Sequence, residues 1–413
     1  MIFHPQLASF YVDQRQRLIE KVLPNSIIIL HSNDKMPISA DQFFPFRQNK
    51  DLLKLCGIYQ EETALVLFPD HPSPEKKELL FIRKNDEYIK TWEGEGLDKK
   101  SARCISGMDH IYWFDQFESI VFPLMTKADH IYLNSNEKGN YPQEVIGRNE
   151  RLGKHIQSVF PFHSYHRLQP MLRSLSLIKS KEEIATIRKA IKLTGDTWNK
   201  VASLIHPGLY EFEIAAAITY EFEKNGAIHA FEPIVAAGPS SCILHYKYNS
   251  QKCTAGDTIL VDFGAEIDGY AADMTRCKAI DGSMSIRQFA IYDQVLSLFN
   301  FARNIIKPGI TIDAINQQLG VEVTQSLLQL EVITKKDAED KNFYKKYLPH
   351  GVSHFLGMDV HDYGDRYTVL EPGMVITCEP GLYIKEEGIG IRLENDLLIT
   401  KNGNEDLMSE FEL

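Results

Sequence analysis

The sequence lacks the features that mark several large classes of protein. Its formal net charge of −11 argues against a surface built to bind nucleic acid. No uninterrupted apolar run approaches the roughly 18 to 20 residues that a membrane span needs, and residues 1–4 lead into polar sequence without the layout of a signal peptide. The six cysteines are scattered and form no Cys-x-x-Cys pair, which is typical of reduced thiols. These absences predict a cytoplasmic protein without membrane or nucleic-acid partners.

Length and composition predict two globular domains, each with its own core. The chain has 413 residues, of which 44% are hydrophobic and 24% are charged. In the first half, strand-like runs alternate with helical segments, as in an α/β layer domain. The runs are residues 26–31, 64–68, 79–82 and 130–133, and the helical segments are residues 7–23 and 114–125. A capping box, Ser180 with Glu183, should then start a helix that runs to about Leu193. We place one domain over residues 1–168 and the other over residues 169–413.

The chain is organised around residues 259–276, which predict a β-hairpin that carries two acids. An apolar strand holds Asp262, the Asp-Gly dipeptide at residues 268–269 suits a tight turn, and Asp273 lies on the returning strand. A two-residue turn pairs Asp262 with Thr275 and makes the two acids diagonal neighbours, whereas a four-residue loop places them directly opposite. Either register puts like charges side by side among apolar residues, which is costly unless a proton or a cation compensates.

The C-terminal half contains this pattern twice. Residues 255–267 align without a gap to residues 372–384, and the alignment places Glu379 on Asp262. A second hairpin then sets Glu379 opposite Glu394, so this copy also presents a carboxylate pair on one face. Taken singly, each pair is also compatible with a solvated hairpin face or a surface ion-pair ladder. A pseudo-twofold axis would gather both pairs around one pocket, where four carboxylates require cations.

Three histidines, His350, His354 and His361, lie between the carboxylates of the two copies. A lone histidine is more often a satisfied core residue than a ligand, but histidine is also the commonest nitrogen ligand of metals in proteins. One histidine with four carboxylates is a hard, oxygen-rich set that favours Mn²⁺, with Co²⁺, Zn²⁺ or Fe²⁺ as alternatives. Two metal ions that share bridging carboxylates would activate water and polarise a substrate oxygen together.

These motifs resemble those of aminopeptidase P, a family of pita-bread metallopeptidases that act on Xaa-Pro peptides. The resemblance rests on five motifs in the family's order: Val261-Asp-Phe-Gly264, Ala272-Asp-Met-Thr-Arg276, His350-Gly-Val-Ser-His354, Cys378-Glu-Pro-Gly-Leu-Tyr383 and Gly390-Ile-Arg-Leu-Glu394. Residues 44–51 and 91–94 are similar to the family's N-terminal domain. The resemblance implies an N-terminal creatinase/aminopeptidase P-like α/β domain, followed by a C-terminal pita-bread α+β domain with an internal pseudo-twofold repeat.

The resemblance also implies a site for two divalent metal ions held by five side chains: Asp262, Asp273, His354, Glu379 and Glu394. Asp273 and Glu394 would bridge the ions. Asp262 would bind one ion, and His354 with Glu379 would bind the other. The implied reaction is attack by a metal-bridging hydroxide on the carbonyl of the first residue, with Glu379 passing the proton to the leaving proline nitrogen.

Further side chains match family positions around the substrate. His245 and His361 match groups that steady the substrate and the tetrahedral intermediate. His350, Tyr383 and Arg392 match groups around the proline subsite and the outer shell of the metals. We therefore assign catalytic roles to Glu379, His245, His361 and Arg392, and substrate-binding roles to His350 and Tyr383. The family also implies proline-containing peptides as partners and a homo-oligomer, either a dimer or a tetramer.

Related functions remain as alternatives. A prolidase would cut only Xaa-Pro dipeptides, although the N-terminal domain favours aminopeptidase P, and a methionine aminopeptidase normally lacks such a domain. A catalytically inactive peptide-binding protein of the pita-bread fold, or a metal-free creatinase-type enzyme, would have lost metal ligands, and all five are present here. The sequence therefore predicts a metallo-aminopeptidase that releases the N-terminal residue ahead of proline.

Overall fold

The computed structural model describes residues 3–137 and 144–413, and its contacts divide the chain into two compact units. The first unit comprises Phe3–Ser176 and the second Leu177–Leu413. The boundary that we place after residue 168 falls one helix earlier than this division. Along the described ranges, no helix combines the length and the apolar character needed to cross a bilayer.

The first unit is a mixed sheet with helices packed on it. Its helices are α1 (Ala8–Ile19), α2 (Lys50–Cys56), α3 (Glu87–Glu93), α4 (Lys99–Ser106), α5 (Phe117–Met125), α6 (Arg148–Val159) and α7 (Gln169–Ser176). Its strands are β1 (Ser26–His31), β2 (Pro37–Ser39), β3 (Gln42–Phe43), β4 (Ala64–Leu67), β5 (Glu78–Ile82), β6 (Ile111–Trp113), β7 (His130–Leu133) and β8 (Ser164–Arg167). The main sheet has the order β6-β5-β4-β1-β7-β8, with β1 antiparallel to β4 and parallel to β7.

The predicted elements of this unit are present. The runs at residues 26–31 and 130–133 have the predicted bounds as β1 and β7, because continuous apolar sequence suits strands that are covered on both faces. The predicted helix at residues 114–125 begins instead as a 3₁₀ turn, Phe114–Gln116, and becomes α-helical only from Phe117. The N-terminal helix is shorter than predicted and ends at Ile19.

The structure describes the second unit without gaps from Leu177 onwards. This unit contains four α-helices and several small sheets. The helices are α8 (Lys181–Ala202), α9 (Glu211–Lys224), α10 (Ile286–Ile305) and α11 (Ile312–Gln329). The strands are β9 (Ile228–His229), β10 (Ile234–Ala237), β11 (Thr258–Phe263), β12 (Ala265–Ile267), β13 (Tyr270–Ala271), β14 (Met274–Ala279), β15 (Val375–Cys378), β16 (Gly381–Ile384), β17 (Ile389–Arg392), β18 (Asn395–Thr400) and β19 (Gly403–Asp406). They form the sheets β10-β11-β14, β13-β12-β9, β15-β18-β19 and β16-β17.

Helix α8 starts as predicted and ends later than predicted. Both hydrogen bonds of its capping box are made, between Ser180 and Glu183. The prediction that it ends near Leu193 is wrong, because buried side chains continue at helical spacing to its last turn. At Gly195, inside the helix, the ring of Phe411 packs where a β-carbon would lie.

Two β-hairpins form the centre of the second unit. In the first, Asp262 pairs with Thr275 and Ile267 with Tyr270, so the register with a two-residue turn is correct. The turn residues adopt positive φ as predicted for an Asp-Gly dipeptide, 50° and 86°. In the second hairpin Ile384 pairs with Ile389 across a four-residue loop, again as predicted.

Both hairpins are interrupted where the acids lie. The first ladder breaks between β11 and β12 on one strand and between β13 and β14 on the other, which leaves Asp273 in the gap. The second breaks between β15 and β16 and between β17 and β18, which leaves Glu379 and Glu394 in the gap. At the first break, a β-carbon on Gly264 would lie 1.7 Å from the carbonyl oxygen of Ala272. The two backbone segments of the hairpin therefore approach too closely there for any residue other than glycine.

We expect Gly264→Ala to destabilise the second unit. The added methyl group must displace backbone rather than a flexible side chain, so the free energy of unfolding should fall by at least the roughly 1–3 kcal/mol typical of overpacking. Urea unfolding measures the change. The matched control is Gly403→Ala, because a β-carbon there meets no atom within 4 Å. Equal effects of the two substitutions would contradict the close approach at Gly264.

Candidate metal centre

The broken hairpins open into a cavity of about 650 Å³, within the range of about 300–1,000 Å³ common for ligand pockets. The predicted site residues that line this cavity are Asp262, Asp273, His354, Glu379, Glu394, His245, His361, His350 and Arg392. Tyr383 is buried behind the wall rather than on it. The structure therefore gathers side chains from both copies of the repeat around one space.

Three of the predicted ligands form a compact group. One ligand atom each of Asp273, His354 and Glu394 lies within 4.8 Å of the other two. The His354 Nε2 atom is 3.3 Å from Asp273 Oδ2, while its Nδ1 atom lies 3.1 Å from the carbonyl oxygen of Phe355. That second contact fits a neutral ring that donates through Nδ1 and leaves Nε2 for a metal.

Asp262 and Glu379 line the same cavity as this group. Asp262 Oδ2 accepts a hydrogen bond from the guanidinium of Arg392 at 2.5 Å, which leaves its other oxygen to the cavity. Glu379 Oε1 is 3.6 Å from His354 Nε2, and Glu379 Oε2 is 3.7 Å from His350 Nδ1. The five side chains thus line one cavity, in which Glu379 lies close to both His354 and His350.

The carboxylates fit a cation. One oxygen each of Asp262, Asp273 and Glu394 is buried and has no hydrogen-bond partner among the described residues. Burial raises the pKa of the Asp273 carboxyl well above its usual range, and the neighbouring Asp262 raises it further. Burial likewise raises the pKa of Glu394, with Asp273 as the next cause. Buried carboxylate oxygens without donors, beside one imidazole nitrogen, are the donor set of a hard divalent ion.

A chain of hydrogen bonds supports Asp262 from behind. The Arg392 guanidinium, which is 4% exposed, donates to Asp262, to the Tyr383 hydroxyl at 2.7 Å and to the Thr275 hydroxyl at 3.0 Å. Tyr383 in turn lies 2.7 Å from His350 Nε2. Arg392 therefore places a positive charge beside a group of buried acids, and its three acceptors fix the orientation of its guanidinium group.

Three polar residues that sequence reasoning missed support the ligands. The Thr275 hydroxyl donates to Glu394, the Thr377 hydroxyl donates to Glu379 and accepts from the backbone of His354, and the Asp396 carboxylate accepts from the backbone of Asp273. All three are buried. Each lies two residues from a carboxylate along an extended segment, so period-two alternation was the signal that places it on the same face.

Arg276 anchors the segment that carries Glu394. Its guanidinium is buried and donates to the Glu394 carbonyl, to the Asn395 side chain and to the Glu412 carbonyl. Burial lowers the pKa of Arg276 to about 10, so the side chain remains charged at neutral pH. The backbone that positions Glu394 is thereby tied both to the first hairpin and to the C-terminal segment.

The two remaining histidines lie at the cavity's rim. The His361 ring packs edge-on against the His354 ring, with 4.5 Å between centroids. His245 lines the cavity but is exposed, and its ring makes no hydrogen bond within the described ranges. Both side chains line the cavity.

This chain is similar to known proteins over most of its length. Residues 185–401 match metallopeptidase family M24, and residues 11–132 match the aminopeptidase P N-terminal domain. The Xaa-Pro aminopeptidase of Escherichia coli K12 is 32% identical over 411 aligned residues, covering 95% of this chain and 93% of that protein. Two solved structures of E. coli aminopeptidase P, one with the inhibitor Pro-Leu and one zinc-substituted with product, are 30% and 29% identical, with TM-scores of 0.89. Each match covers 99% of this chain and 96% of the other. These matches confirm the predicted fold of both parts of the chain.

We expect removal of divalent ions by EDTA to lower the melting temperature. Without a cation the buried acids must repel or take up protons, and an ion at about 1,000 times its Kd contributes about 4 kcal/mol to stability. Calorimetry with and without EDTA measures the shift. Glu394→Gln should show a smaller EDTA shift, since a ligand is already lost. An unchanged melting temperature after metal removal, verified by elemental analysis, would contradict a metal centre here.

We also expect His354→Ala to lose bound metal and activity while the protein stays folded. Turnover should fall by more than the roughly 10- to 100-fold typical of residues outside the ligand set. In EDTA the variant should melt close to the EDTA-treated parent, because only the metal contact is lost. The control is His206→Ala, an exposed histidine in a turn. Near-normal turnover with metal retained would remove His354 from the site.

Proposed function

Because this chain belongs to metallopeptidase family M24 and is a metallo-aminopeptidase, we propose that its substrates are peptides with proline at the second position. The observation that carries the proposal is the convergence of Asp262, Asp273, His354, Glu379 and Glu394 on one cavity, with His350 and Arg392 on the same wall. The relatives are Xaa-Pro aminopeptidases, and one related structure was solved with Pro-Leu. Both support a cavity that accepts proline directly after the residue that is released.

We propose that the five side chains hold two divalent ions, with manganese as the preferred metal. Four carboxylates face a single guanidinium, so one divalent ion leaves negative charge uncompensated where three oxygens lack donors. Asp273 and Glu394 form a compact group with His354 and would be shared by both ions, whereas Asp262 would hold one ion and His354 with Glu379 the other. Bound ions would supply an activated water and a polarised scissile carbonyl.

Glu379 is the group that moves the proton. Its Oε1 atom accepts from the Thr377 hydroxyl at 3.3 Å, and its Oε2 atom points towards His350 at the cavity wall. A carboxylate so placed takes a proton from the attacking water and gives it to the proline nitrogen. The nitrogen needs that proton because an amide nitrogen leaves only in its protonated form.

The remaining side chains hold the substrate. His245 and His361, at the rim, are placed to donate to the carbonyl oxygen as it gains charge. His350 lines the cavity and suits the proline ring, and Tyr383, buried behind it, fixes His350 through a hydrogen bond. Arg392 donates to Tyr383 and also orients Asp262. A dimer or tetramer and a cytoplasmic location stay predictions from the sequence.

The substrate test compares two peptides at equal Mn²⁺ concentration, an Xaa-Pro dipeptide and an Xaa-Pro-Yaa tripeptide, with Xaa-Ala-Yaa as the control. We expect release of Xaa from the Xaa-Pro-Yaa tripeptide and little from the alanine control. Cleavage of the dipeptide alone would instead indicate a prolidase. No cleavage of either proline peptide, with metal shown to be bound, would indicate a peptide-binding protein without activity.

A further inference from the structure

We propose that Glu211 is a positioning residue for His245, because it holds both ends of the segment that carries this histidine to the cavity. The segment, residues 238–251, leaves the end of β10 and returns beside the start of α9. The inference rests on the proposed function, in which His245 contacts the substrate. Neither the repeat nor the five motifs of the sequence draw attention to Glu211.

Three hydrogen bonds converge on the Glu211 carboxylate. Its Oε1 atom accepts from the backbone N–H of Ala237, at 2.7 Å, directly before the segment. Its Oε2 atom accepts from the backbone N–H of Gln251, at 2.8 Å, at the segment's end. The same oxygen accepts from the hydroxyl of Tyr246 at 2.9 Å, and Tyr246 is the neighbour of His245. One side chain thus fixes the two ends and the middle of the segment.

The carboxylate is suited to this role by its burial and position. Glu211 is 0% exposed and is the first residue of α9, where the helix dipole favours a negative charge. A buried carboxylate is tolerated only if hydrogen bonds replace its water, and here three donors do so. Loss of the acceptor would leave two backbone N–H groups without a partner and free the tyrosine ring.

His245 depends on this support because its own side chain supplies none. The ring is exposed and makes no hydrogen bond in the part of the chain that the structure describes. Asn249 provides a second anchor, because its side-chain N–H donates to the carbonyl of Pro233 and its side-chain oxygen accepts from the backbone N–H of Val235. This anchor fixes the return of the segment to β10, whereas the hydrogen bond from Tyr246 lies next to His245.

The test is Glu211→Gln, which keeps the shape of the side chain but replaces one acceptor oxygen by a donor. We expect kcat/KM on the Xaa-Pro-Yaa tripeptide to fall by up to about 100-fold, as a small misplacement of a contact group can cause, with bound metal unchanged by elemental analysis. Trypsin cleavage after Lys247, an exposed residue of the segment, should become faster. Tyr246→Phe removes the hydrogen bond to Glu211 and the longer one, 3.5 Å, that the hydroxyl accepts from the backbone N–H of Ser250. It should shift both readouts less and in the same direction.

The matched control is Glu213→Gln. Glu213 lies in the same turn of α9 and also accepts a backbone N–H, from Tyr210, but it is exposed and does not touch the segment. The same charge is lost in both variants. Equal tryptic cleavage after Lys247 in the two variants would overturn the anchoring role of Glu211.

A double-mutant cycle with His245→Ala separates positioning from a general effect on stability. If Glu211 acts through His245, then Glu211→Gln should cost activity in the parent and nothing further in the His245→Ala background. Additive losses would overturn the inference. An inactive parent enzyme would instead disprove the proposed function, and tryptic cleavage would then decide the anchoring role by itself.

Discussion

Repulsion between buried carboxylates is the constraint on which the second unit depends. Asp262, Asp273 and Glu394 are each at least nine-tenths buried, and each keeps an oxygen without a hydrogen-bond donor. Arg392 compensates one of these charges. Burial raises the pKa of each of these three carboxyl groups. A bound cation would compensate the carboxylate charges that Arg392 leaves unpaired.

The interruptions of the two hairpins give the acids a shared cavity. A continuous ladder would fill the space between the strands and keep side chains on the two faces of the sheet. At each break the ladder stops and resumes in the same register, so the acids stay aligned while a cavity opens between them. Gly264 permits the break in the first hairpin by allowing backbone to approach backbone. The Asp396 carboxylate accepts the backbone N–H of Asp273, which lies in the first break.

Local sequence rules predict the two hairpins, but they do not predict the hydrogen bonds that hold the surrounding segments in place. The Asp-Gly turn determines the register of Asp262 against Thr275, and the duplication carries the same reasoning to Glu379 and Glu394. By contrast, Thr377 and Glu211 act through hydrogen bonds to segments that are distant in sequence, and no local pattern encodes those partners. The same holds for Gly195 of α8, against which the ring of Phe411, near the other end of the unit, packs. Patterns predict which face a side chain occupies, but packing decides which partner meets it there.

The anchoring of Arg276 has a consequence for the order in which the centre is built during synthesis. The arginine belongs to the first hairpin, yet its partners are the backbone at Glu394 and the carbonyl of Glu412. On the ribosome the first copy of the repeat is therefore made long before the residues that complete its charge balance and hold its shape. Until the C-terminal segment emerges, Asp262 and Asp273 lack both their guanidinium partner, Arg392, and the opposing ligands. The full set of predicted ligands is consequently present only after almost the whole polypeptide has been synthesised.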